Sequence, residues 1–84
     1  MSAKTFKAVV TVMLKKAVLD PQGKAVLGSL HALGFHGVSD VRVGKSITVT
    51  LEAGSRDEAE NQVKVMSQKL LSNPVIEDFE IEIV

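Results

Sequence analysis

Eighty-four residues make one small domain, taken as residues 1–84. Ten basic residues balance ten acidic ones and no cysteine is present, which rules out a disulfide framework or a thiolate metal site. The basic excess of a nucleic-acid binder is also missing. A chain this short buries only about 60–65% of its unfolded surface, so it is marginal alone and suited to oligomerisation.

The opening Met1-Ser2-Ala3-Lys4-Thr5 leads into an alternating pattern and not into an apolar leader. The longest apolar run is far too short to span a bilayer. A soluble, cytoplasmic domain that binds neither membrane nor nucleic acid is the expectation. In residues 6–14 the even positions Phe6, Ala8, Val10, Val12 and Leu14 are all apolar, while Lys7 and Thr11 mark the other set. A period of two predicts a strand with one face in the core.

A helix over about 21–33 follows. Asp20 is suited to cap its free amides and Pro21 to its first position, where a missing N–H costs nothing. Val26, Leu30 and Leu33 form its apolar stripe, and Gly34 is placed to end it in a left-handed conformation. Residues 38–51 hold two β runs around Gly44-Lys45-Ser46. A three-residue turn there opposes Val43 to Ile47 and keeps the apolar faces matched, so a hairpin is favoured over one long strand bent at Gly44.

Ser55-Arg56-Asp57-Glu58 fits a capping box that opens a second helix, with Ala59, Val63, Met66 and Leu70 at helical spacing. Asn73-Pro74 ends it, because a proline disfavours helix in the residue before it. Phe79 to Val84 alternates as a last strand with an acidic, wet face. The order β-α-β-β-α-β predicts a ferredoxin-like α+β fold, two helices on one face of an antiparallel sheet. The other face would carry Lys7, Val9, Thr11, Met13, Arg42, Thr48, Thr50, Glu80 and Glu82 as a contact surface.

Catalytic groups do not converge in this sequence. His31 and His36 lack a metal-ligand spacing with its own mechanism and read as surface histidines. Gly44-Lys45-Ser46 ends like a phosphate-binding loop, but Ser39 stands where the first glycine belongs and a strand follows instead of a helix. Asp78, Glu80 and Glu82 share one strand face, where a charge row that discourages edge-to-edge aggregation is the commoner meaning than cation binding. Ser29, Ser67 and Ser72 have no histidine-plus-acid arrangement. No catalytic, cofactor or metal residue is assigned.

Three ordered segments point further. Leu14-Lys15, Val18-Leu19-Asp20-Pro21-Gln22-Gly23 and Leu33-Gly34-Phe35 come first, then Asp40-Val41-Arg42-Val43-Gly44-Lys45, then Lys69-Leu70-Leu71-Ser72-Asn73-Pro74-Val75-Ile76-Glu77-Asp78-Phe79. Together they resemble the PurS family, small non-catalytic subunits of the multi-subunit phosphoribosylformylglycinamidine (FGAM) synthase. Ser72 departs from the alanine common there. The resemblance implies a homodimer, or a tetramer in isolation. It also implies a bridge between a glutaminase subunit (PurQ) and a synthetase subunit (PurL), supporting transfer of glutamine-derived ammonia in de novo purine biosynthesis. ATP and Mg would be used by PurL, and this subunit would bind no cofactor.

Candidate protein contacts are the helix start Asp20, Pro21, Gln22 and Gly23, the turn Arg42, Gly44 and Lys45, and the corner Asn73 and Pro74. Capping explains Asp20 and Pro21. Glycine in a first turn is a poor helix former, so Gln22 and Gly23 are read as the place where a partner comes close. Two other uses of the fold fit less well. A ligand-sensing regulatory module needs a glycine-rich loop after the first strand, where Lys15-Lys16-Ala17-Val18 stands. An acylphosphatase-like enzyme needs an arginine there, and both arginines, Arg42 and Arg56, are elsewhere.

Overall fold

In a computed structural model, which describes residues 3–84, the alternating run becomes the 11-residue strand β1 (Lys4–Leu14). Of the opening segment, Met1 and Ser2 lie outside the described residues. Strands β2 (Gly44–Ala53) and β3 (Glu77–Ile83) flank β1, both antiparallel to it, in the order β2-β1-β3. Val10 stands opposite Ile47 on one side and Ile81 on the other, and Ala8 opposite Val49 and Ile83. The even residues of β1 therefore share a face with the odd residues of its neighbours, as the period of two requires.

Helix α2 (Arg56–Met66) closes that face. Its Ala59 and Val63 are fully buried, as are Ala8 and Val10 of β1, and Ile47, Leu51, Phe79 and Ile81 surround this cluster. Ser55 caps the helix by accepting the Glu58 N–H at 3.2 Å. The helix does not run on to Asn73. It widens at Ser67–Leu71 into a π-helical turn, ended by the Ser72 N–H bonded to the Ser67 carbonyl at 2.9 Å. The buried hydroxyls of Ser67 and Ser72 donate to the carbonyls of Val63 and Ser67, each at 2.8 Å. The widened turn thus leaves neither hydroxyl unpaired.

Helix α1 (Pro21–Ala32) begins at the Asp20 cap. It ends with the Gly34 N–H on the His31 carbonyl (3.0 Å) and the Phe35 N–H on the Leu30 carbonyl (2.9 Å), Gly34 having φ 100°. That pair of bonds is a Schellman stop, which favours glycine because a side chain resists positive φ.

The α+β class and the antiparallel sheet agree with the sequence reading, with three corrections. No hairpin forms at Gly44-Lys45-Ser46: β2 is a single strand that starts at Gly44, and residues 38–43 approach it without a ladder partner. The side chain of Arg42 is consequently not on a sheet face but is spent on backbone carbonyls of the segment after β1. Nor do both helices cover one sheet face, since no residue of α1 belongs to the core cluster or packs against it. The chain is correspondingly long, 58 × 25 × 14 Å. Its radius of gyration is 16.8 Å, where a compact chain of this length has about 12 Å.

Candidate functional site

Two of the three predicted contact segments, the helix start and the turn at Gly44, meet at one end of the sheet, and the third, the Asn73-Pro74 corner, leads into β3 there. Gly44 begins β2 opposite Met13, and Glu77 begins β3 opposite Leu14. The end of β1 is thus enclosed by the start of both neighbours. Asp20 follows shortly after β1, so the start of α1 lies at the same end. A cleft of about 240 Å³ opens here, lined by Leu14, Asp20, Pro21, Gln22, Gly44, Lys45 and Glu77 among others.

Within this region the nine residues divide into two kinds. Asp20, Gly23 and Arg42 face inward. Asp20 is only 4% exposed; its carboxylate accepts the Gly23 N–H at 2.9 Å and the Val43 N–H at 2.8 Å. Those two backbone donors, aided by the Arg42 charge and opposed by desolvation, hold its carboxyl below the usual carboxylate range. Arg42 donates to the carbonyls of Val18 (3.3 Å), Leu14 (3.3 Å) and Lys15 (3.0 Å). Its planar fork suits three acceptors clustered where a strand ends.

Gly23 is buried, and a methyl group there would run into the Val41 carbonyl oxygen and come within 2.8 Å of the Asp20 carboxylate. The close approach inferred for a partner at Gly23 is therefore made by the chain's own return segment. Pro21, Gln22, Gly44, Lys45, Asn73 and Pro74 are exposed. The corner Asn73-Pro74 is held by the Asn73 carbonyl, which accepts the Ile76 N–H at 3.1 Å and the Glu77 N–H at 2.8 Å, and by two side-chain bonds. The Asn73 N–H donates to the Glu77 carboxylate at 2.7 Å, and the Asn73 side-chain oxygen accepts the Val75 N–H at 3.1 Å.

Sequence reading missed Val41, Val43 and Glu77. The first two act through backbone atoms, which no residue type announces. Glu77 could be suspected only from its spacing of four from Asn73 at a proline corner. His31 and His36 are exposed, and His31 donates from Nε2 to the Val38 carbonyl at 2.7 Å. Asp78 of the acidic row pairs with Lys15 at 3.0 Å. Among the described residues no group of three acidic, histidine or cysteine side chains is placed to hold a metal ion. No helix among them is long and apolar enough to cross a membrane.

Residues 7–84 match the family described as PurS, phosphoribosylformylglycinamidine (FGAM) synthase. The chain belongs to the PurS family. It is 47% identical to the PurS subunit of FGAM synthase from Bacillus subtilis, over 93% of this chain and 92% of that one. To the PurS subunit of Methanocaldococcus jannaschii it is 40% identical, over 93% and 94%. Among solved structures, the PurS subunit of Thermotoga maritima superimposes with a TM-score of 0.91 at 31% identity, covering 100% of this chain and 97% of that one. A chain of the Thermotoga maritima PurLQS structure superimposes with a TM-score of 0.89 at 32% identity, over 96% and 99%. PurS relatives are thus matched along nearly their whole length, including the arm formed by α1.

Proposed function

We propose that this chain is the small, non-catalytic subunit of an FGAM synthase of de novo purine biosynthesis. It joins a PurQ-type glutaminase to a PurL-type synthetase so that ammonia released from glutamine reaches the synthetase. The observation that carries this reading is the near full-length likeness to a chain of a PurLQS assembly. Ammonia in neutral water is protonated and loses its nucleophilicity, so the two catalytic sites gain from being held together. A small module contributes to that by surface and not by chemistry. ATP and Mg belong to the PurL-type subunit in this reading, and the assembly works in the cytoplasm.

The chain acts as a homodimer, a tetramer in isolation being the alternative assembly. Leu33 (74% exposed) and Phe35 (57% exposed) lie at the end of α1, and Leu19 before its start is 64% exposed. Apolar side chains left open at both ends of one helix are the kind of surface that marks interaction sites. Between Pro21 and Ala32 only Lys24 and His31 are basic and no residue is acidic. The whole chain has a formal charge of zero, so a second copy meets little like-charge repulsion. For the larger partners, the exposed Gln22, Gly44, Lys45, Asn73 and Pro74 supply the contact, while Asp20, Gly23 and Arg42 hold the segments that carry them.

Reconstitution with PurL- and PurQ-type subunits from the same source tests the reading. Glutamine-dependent FGAM formation is expected to fall at least tenfold when this chain is left out. Equal rates with and without it would overturn the assignment.

A further inference from the structure

The direction of α1 is not set by packing on the core, because none of its residues touches the core cluster. Its apolar side chains therefore do not tie it to the core of the sheet. Two stretches of chain connect α1 to the sheet: residues 15–20 on the way out and 33–43 on the way back. Asp20 ties these together, bonding the start of α1 through the Gly23 N–H and the returning chain through the Val43 N–H. Arg42, on the returning chain, grips the outgoing one by the carbonyls of Leu14, Lys15 and Val18. Gly23 lets the two stretches come together, since a side chain there would strike the Val41 carbonyl.

We propose that Asp20 and Arg42 form a clamp across the two connections that fixes the direction of α1, so that its apolar face is already aimed when a second copy binds. Both are positioning residues, acting through the backbone they hold. Breaking the clamp leaves the sheet and α2 intact, because that core includes neither residue, but turns α1 into a hinged arm. An arm that must be ordered on association binds more weakly than one already in place. The assembly half of this inference rests on the homodimer reading above; the hinge half does not.

The test uses the full chain as Arg42→Gln and as Asp20→Asn. The second places an amide N–H₂ among the two backbone N–H groups that the carboxylate accepts from. Sedimentation equilibrium gives self-association, and amide hydrogen exchange gives the protection of β1 and α2. At least tenfold weaker association with β1 and α2 protection unchanged is expected for both variants. Unchanged association, or core protection lost in step with α1, would overturn the clamp. If the parent chain is a monomer at micromolar concentration, the homodimer reading fails, and the clamp is judged by the spread of distances between spin labels on α1 and β2. The chain has no cysteine, so two introduced cysteines at Ser29 and Thr50 label it uniquely. A spread at least twofold broader in both variants supports the clamp, and an unchanged spread refutes it.

Discussion

Helices α1 and α2 are nearly equal in length, yet they stand in opposite relations to the rest of the chain. Helix α2 turns Ala59 and Val63 onto the sheet and is fully buried at both positions. Helix α1 buries only Gly23, a residue without a side chain, and its last turn leaves Leu33 open. One helix is stabilised by packing within the protomer. The other is held by hydrogen bonds at its start and keeps its apolar surface for something outside. A helix of this length is marginal in water by itself, so α1 depends on its cap, its clamp and its partner.

The largest expected contrast is between Val10→Asp and Leu33→Asp. The first places an unpaired carboxylate among fully buried apolar groups and costs about 4 kcal/mol or more, enough to unfold so small a domain. The second leaves the protomer's stability within about 0.5 kcal/mol and acts on association. Urea titration of dilute protein separates the two. Similar losses for both would mean that α1 is packed within the protomer after all.

A smaller contrast lies within α1. Gly23→Ala puts a methyl group against the Val41 carbonyl and costs about 1–3 kcal/mol, in the range of overpacked sites. Gly28→Ala, where an added methyl meets nothing within 4 Å, gains about 0.5–1 kcal/mol from helix propensity alone. Thermal unfolding should therefore move in opposite directions for the same chemical change. A shift in the same direction would remove the clamp's steric part.

The smallest effect is one of pH. The carboxyl of Asp20 titrates below its ordinary value of 3.8 in the folded chain. Its ionised form is thus favoured by folding, and its stabilisation is complete above that value and lost as pH falls through the lower, folded one. Parent and Asp20→Asn should differ in urea midpoint above the ordinary carboxylate range, and the gap should narrow progressively as pH falls below it. A gap that persists in acid would show that Asp20 acts without its charge.

The same division explains what could be read in advance. Alternation in β1 identified Ala8, Val10 and Val12 as core because a sheet face is a local property with a fixed period. The capping residues Asp20, Pro21 and Ser55 were legible for the same reason, each acting within one turn of its own position. The direction of α1 was not. Its Val26-Leu30-Leu33 stripe resembles that of any core-facing helix, and nothing local distinguishes an apolar face meant for the protomer from one left for a partner. The Gly44 hairpin failed on a related point: Val41 and Val43 keep the parity of β2, but Asp20 captures the Val43 N–H and takes this residue's donor out of any ladder. Arg42 was marked as important, and its target was hidden because it is three backbone carbonyls.

Amide hydrogen exchange of α1 across a dilution series that spans dissociation of the assembly tests the central contrast most directly. Protection of α1 is predicted to fall as the protein is diluted, while protection of β1 and α2 stays constant. Equal and concentration-independent protection of α1 and α2 would contradict the account, because it would place the stability of both helices inside a single protomer.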